Sequence, residues 1–197
     1  MRRILLSLLL IFCCCGLSRA QRSDWQYWET PLQFTPIVFD LGAEYLGIQP
    51  NHNLVDRCVA NVVGYAAMFG ITQGLKHLVQ EQRPDGSNYH SFPSGHTAAA
   101  FTGAELVCQD YGWSWGALFY AGGMAVAYGR VQHQRHWWWD TAAGAGIGFL
   151  SAWIGRWTAD ALDLGSKFGA KKESNLSVAP SIDPLTGAYC ANLVWRF

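Results

Sequence analysis

From Cys58 to Leu75 the chain runs for 18 residues without a charged side chain. Coiled as a helix, such a run is about 27 Å long and apolar on nearly every face. It is just long enough to cross a bilayer, or it can lie buried at the centre of a helical bundle. The flanks agree with a helix. Asn53 can cap its start, Asp56 favours the positive end, and Lys76 favours the negative end. Pro84 disfavours helical geometry at the residue before it, so the expected helix spans Asn53 to Arg83.

Three further helices are expected, at Gly95–Gln109, Trp113–Gly129 and His136–Asp163. The second of these carries Ala121, Gly122, Gly123, Ala125 and Ala127, and the third carries the Ala142–Gly148 run. Small residues of this kind let helix backbones approach closely. A shorter helix is expected over Ile37–Ile48, ended by Gly47 and Pro50. Ser23–Pro36, rich in aromatics and broken by Pro31 and Pro36, reads as an irregular or interfacial lead-in. After Gly165 the pattern changes. Lys167–Glu173 is a charged linker, and Tyr189, Ala191, Leu193, Trp195 and Phe197 alternate with other residues in strand period. The expected fold is therefore an all-α bundle with a short C-terminal β-hairpin-like tail.

Residues 1–20 have a basic start at Arg2 and Arg3, an apolar core over Ile4–Phe12, and a small-x-small end at Ser18-Arg19-Ala20, the pattern of an export signal. The expected organisation is a signal at 1–20, a helical domain at 21–165, and a linker with tail at 166–197. The protein is expected in the cell envelope, periplasmic or membrane-associated. Its 197 residues suit one domain, and its zero formal charge argues against nucleic acid as a partner. Only 14% of residues are charged and ten are Trp; ordinary soluble domains are roughly 25% charged, and indoles favour the membrane interface. Membrane association is expected on that basis. Cys58 and Cys108 are expected as small buried hydrophobes, and His52 and His77 as surface groups.

The few cationic and imidazole groups concentrate between Lys76 and Asp140. One piece is Lys76 to Arg83-Pro84, with the two cations at helical spacing. Another is Pro93-Ser94-Gly95-His96, a helix start whose free N–H groups suit an anion. The last runs from Gly129-Arg130 through His133 to His136-Trp137-Trp138-Trp139-Asp140. His136 and Asp140, four apart, would be neighbours on a helix; a carboxylate there can hold the proton on one imidazole nitrogen and free the other. Together the pieces describe a phosphate site.

In this order they resemble the type 2 phosphatidic acid phosphatase superfamily, which includes lipid phosphatases, bacterial acid phosphatases and vanadium haloperoxidases. The family pattern is met by Lys76, Arg83, Pro84, Pro93, Ser94, Gly95, His96, Arg130, His136 and Asp140. It departs at Gly129, where the family has Ser, and in a short gap between Pro84 and Pro93. The resemblance implies a helical bundle of the acid phosphatase and haloperoxidase type. It implies that His136 attacks phosphorus to give a phosphohistidine, that Asp140 fixes its tautomer, and that His96 protonates the leaving oxygen and then activates water. Lys76, Arg83 and Arg130 would neutralise the phosphoryl oxygens, with Ser94 and the N–H of Gly95 completing the cradle. Three cations would do the electrostatic work, so neither a metal nor another cofactor is expected. The expected substrate is a phosphomonoester or diphosphate, with a phosphorylated lipid favoured over a small phosphoester. A soluble periplasmic acid phosphatase, a vanadium haloperoxidase and a non-catalytic phospholipid-binding module use the same residues and stand as alternatives. His90 and His133 flank the pieces as candidates for the pocket mouth. Most of Trp137, Trp138 and Trp139 are expected in packing or an interfacial belt.

Overall fold

The computed structural model describes residues 25–168, 176–182 and 189–195. The expected export signal, most of the charged linker, the turn residues Pro184 and Gly187 and the terminal Phe197 lie outside the described residues. The helices are α1 (Trp25–Leu32), α2 (Thr35–Gly42), α3 (Leu54–Leu78), α4 (Gly95–Tyr111), α5 (Trp113–Gln132), α6 (Trp138–Leu162) and α7 (Leu164–Phe168), with a 3-10 turn at Ala43–Leu46. The body is an all-α bundle. Beyond it, the backbone of Leu176–Ile182 runs antiparallel to Tyr189–Trp195, with Leu176 opposite Trp195.

Several boundaries differ from expectation. The aromatic lead-in is helical as α1, because Pro31 falls one residue from its end and stops the helix without preventing it. Helix α2 starts early because Pro36 presets the first turn, and the 3-10 turn after it ends on Gly47 at φ 89°. Asn53 caps α3 by accepting the Asp56 N–H. That helix ends at Leu78, well short of Arg83. From there the backbone bonds across a loop instead of along a helix: Arg83 N–H to Asn88 O, Ser91 N–H to Glu81 O, and Asp85 N–H to Gln134 O. Lys76 is therefore in the last turn of α3 and Arg83 in the loop, not two turns apart on one helix face.

Helix α4 is the centre of the bundle. Ala98, Ala99, Ala100, Ala104, Leu106 and Val107 are all buried in it. It packs between α5 and α6, and α6 also packs against α3. The α6 contact needs glycine. A Cβ on Gly148 would collide with the Ala98 carbonyl and lie 2.9 Å from Thr102 N, both backbone atoms that cannot yield. This close approach holds the first turns of α4 against the first half of α6.

The opposite end of the bundle is closed by paired charges. Fully buried Arg57 bonds the Asp40 carbonyl, the Tyr111 hydroxyl at 2.8 Å and Glu44 at 2.5 Å. Asn61 donates to Asp40 Oδ2. Arg156 donates to both oxygens of buried Asp110, at 2.6 and 2.5 Å. His52 Nδ1 lies 2.7 Å from Asp110 Oδ1, so His52 is half-buried and partnered, not a free surface group. Cys58 is exposed and Cys108 half-buried, both as free thiols. Cys58 is thus no core residue: it follows Arg57, and successive helix positions point to different faces.

Candidate active site

The loop after α3, the start of α4 and the short segment before α6 meet at one end of the bundle. His136 is not in α6. It sits in the segment before the helix, and Trp137 occupies the N-cap position. Asp140, in the first turn, turns back: its Oδ2 accepts the Trp137 N–H at 2.9 Å and the Ser91 hydroxyl. The His136–Asp140 pairing is thus built across a helix start, not along a helix face. His136 Nδ1 lies 2.8 Å from the Ser91 carbonyl and 3.5 Å from Asp140 Oδ2. A carbonyl only accepts, so Nδ1 carries the proton and Nε2 is the free nitrogen. Ser91 is a residue that motif reading passed over. Its carbonyl is the closer partner of the imidazole, and its hydroxyl holds the carboxylate.

The electrostatics follow from crowding cations into a buried site. Burial raises the Asp140 pKa, but contact with His136 and hydrogen bonds from Ser91 and Trp137 outweigh this and hold the carboxyl below its usual range. Burial lowers the His136 pKa, and Arg130, Lys76 and Arg83 add to that against the pull of Asp140. His96 falls to about 4, by burial first and then by the charges of Arg130, His136, Arg83 and Lys76. These mutual influences put His96, His136, Lys76, Arg83 and Arg130 within electrostatic reach of one another. Both imidazoles are thereby biased towards the neutral form, which leaves a lone pair on Nε2 of His136.

The candidate phosphate ligands divide into two kinds. Nε of Arg83 and Nε of Arg130 are buried donors with no hydrogen-bond partner among the described residues. A phosphoryl oxygen would satisfy such donors. Lys76 instead spans the loop, donating to the carbonyls of His90 at 3.0 Å and Pro93 at 2.6 Å. Its charge reaches the pocket while its hydrogen bonds hold the loop. The Ser94 hydroxyl is buried and capped on Thr97, 3.0 Å from Thr97 Oγ1. That cap leaves the first-turn N–H groups of Gly95 and His96 for an anion.

Two of the three tryptophans secure the same loop. The Trp137 and Trp139 rings stack at 5.1 Å, and their indole N–H groups donate to Gln82 O and Glu81 Oε1. Trp138 instead lies beside Tyr128 of α5. His133 comes within 3.7 Å of Glu29, while His90 and His77 are exposed.

Sequence comparison agrees with this architecture: residues 57–162 match the PAP2 superfamily, and the chain belongs to that family. It is 36% identical over 133 residues to a lipid A 1-phosphatase of Porphyromonas gingivalis, a match covering 65% of this chain and 30% of that protein. The chain thus spans less than a third of that relative. Its fold is similar to the crystal structure of Aquifex aeolicus LpxE, with TM-score 0.53 and 21% identity, covering 75% of this chain and 93% of that one.

Proposed function

We propose that this protein is a phosphoric ester hydrolase that removes phosphate from a lipid through a phosphohistidine. The observation that carries this reading is the His136 ring held through Nδ1 by the Ser91 carbonyl and Asp140, at the end of the bundle where the buried Nε donors of Arg83 and Arg130 lack a partner among the described residues. In the first step His136 Nε2 attacks phosphorus, the bond to the leaving oxygen breaks, and His96 delivers a proton to that oxygen. His136 becomes positive, and Asp140 with the Ser91 carbonyl steadies it. In the second step His96 takes a proton from water, the water oxygen attacks phosphorus, and the P–N bond breaks to release phosphate and restore neutral His136. Arg83 and Arg130 bind the phosphoryl oxygens through their buried Nε donors, the α4 N-terminus adds N–H groups, and Lys76 adds charge. No step requires a metal.

Two observations favour a lipid substrate. The matched relative is named for a lipid A phosphatase. The outer faces of the bundle are also apolar: Val62 and Phe69 of α3, Leu118 and Met124 of α5, and Phe149, Leu150, Trp153 and Trp157 of α6 are exposed. Helix α3 is long and apolar enough to cross a membrane. A bilayer against these faces would cover them and present phosphorylated headgroups to the pocket. In this reading residues 1–20 direct export, 21–165 form the catalytic domain, and 166–197 form a linker and hairpin-like tail. The antiparallel register of Leu176–Ile182 with Tyr189–Trp195 supports the last assignment.

The test is phosphate release from lipid and soluble phosphates, with and without a chelator. Lipid phosphates should be hydrolysed, and the chelator should change nothing. Rapid acid-free quenching with labelled substrate should trap label on His136, and His136→Ala should abolish both trapping and turnover. Binding without any turnover in the wild type would overturn the hydrolase reading.

A further inference from the structure

Arg130 reaches the pocket from a helix whose last turn is pinned by a group far away in sequence. Its Nη1 donates to Glu29 Oε2 of α1 at 2.8 Å, and both side chains are buried. Glu29 is 3% exposed, an unusual place for a carboxylate. The space it fills is made by Gly129. A Cβ there would overlap Glu29 Oε1 and come within 3.2 Å of Glu29 Cδ. A side chain at position 129 therefore requires the Glu29 carboxylate to shift from the place where it meets Arg130. The same carboxylate lies 3.7 Å from His133 Nε2. With Nη1 committed to Glu29, the buried and unpartnered Nε faces the remaining task.

We propose that Glu29 is the positioning residue for Arg130, and that Glu29 and Gly129 act as a pair in place of the serine that the family pattern puts before this arginine. Glu29 cannot bind phosphate itself, since an ionised carboxylate only accepts hydrogen bonds and repels an anion. Its work is to fix one edge of the guanidinium so that the other edge meets the phosphoryl group without a search through rotamers. It also ties α1 to Arg130 and so to the candidate phosphate site.

This inference rests on the phosphatase reading for turnover but not for anion binding, so the experiment measures both. Glu29→Gln, Glu29→Ala, Gly129→Ser and the double variant Glu29→Ala/Gly129→Ser are compared. The readouts are kcat and KM on phosphatidate in mixed micelles, orthovanadate affinity by calorimetry, and thermal unfolding. Glu29→Ala should weaken vanadate binding and kcat/KM by about tenfold or more, the range for a lost hydrogen bond to a charged group. Glu29→Gln keeps an acceptor oxygen for Nη1 and should lose less. Gly129→Ser should be as harmful as Glu29→Ala, because its side chain displaces the carboxylate. The double variant should be better than the product of the two single losses, because the serine then has room. The proposal is overturned if Glu29→Ala stays within about twofold of wild type in both readouts, if Gly129→Ser behaves as wild type, or if the two losses simply multiply. Should Glu29→Ala not fold, Gly129→Ser and Glu29→Gln decide alone. A wild type that binds vanadate but hydrolyses nothing would sink the hydrolase reading and leave this one to be judged on affinity.

Discussion

The closest acceptor for His136 Nδ1 is a backbone carbonyl, and mutation cannot delete it. Ser91→Ala removes only the hydroxyl bond to Asp140, leaving the tautomer in place. We expect kcat to fall about tenfold, the worth of one hydrogen bond to a charged group, with KM little changed; a loss as large as that of His136→Ala would contradict this division of labour. His96 gives a second prediction. Its pKa of about 4 means that it is neutral in the free protein at pH 7. The proton it gives to the leaving group must then arrive with the substrate, so kcat/KM should fall as pH rises above the second phosphate ionisation, about 6. Removing one opposing charge with Arg130→Gln should raise the His96 pKa, read from its imidazole resonances by NMR titration. A wild-type value near 6.5 would refute the crowding of cations around it.

At the scale of elements, the sequence motifs were legible but their mounting was not. Asn53, the cationic groups and the small residues of α5 and α6 announce themselves by local pattern. Lys76 with Arg83 and His136 with Asp140 also have helical spacing, yet neither pair shares a helix. After Leu78 the chain bonds across a loop, Glu81 with Ser91 and Asp85 with Gln134, and before α6 the N–H groups of Arg135 and His136 turn back to the Arg130 carbonyl. Glu29 was invisible for the same reason: a lone carboxylate in an aromatic stretch gives no hint of an arginine 101 positions later. The contact of α6 with α4 supplies a third prediction. Gly148→Ala should destabilise the protein by about 1–3 kcal/mol through overpacking, and lower activity by shifting the start of α4 that carries His96. Gly146→Ala is the control. Nothing lies within 4 Å of its Cβ position, so unfolding should be unchanged or improved by about 0.5–1 kcal/mol.

Across the described residues, buried ionisable groups cluster at both ends of the bundle. The ends respond to pH in opposite senses. His96 and His136 have pKa values lowered on folding, so their contribution is complete above about 6.5 and is lost as pH falls below it, for His96 down to about 4. Asp40 is the reverse. Burial, then the charge of Asp110, raises it to about 7, so its contribution is present at low pH and is lost as pH rises from about 4 through 7. Asp40→Asn keeps a neutral group for Asn61 and should remove that alkaline loss: its melting temperature should gain on wild type as pH goes from 5 to 8. Equal slopes for both proteins would show Asp40 to be ionised throughout. None of this far cluster was readable beforehand, because Asp40, Arg57, Asp110 and Arg156 come from four separate segments.

The knot of arginines and aspartates under α3 and α6 has one more implication. Helix α3 is about 37 Å long by its rise, and among the described residues the candidate catalytic groups lie at the end away from that cluster. A catalyst so arranged and held in a lipid sheet would serve one leaflet only. In sealed vesicles carrying substrate on both sides, and protein inserted in one orientation, release should therefore stop at the fraction facing the pocket and resume when detergent opens the vesicles.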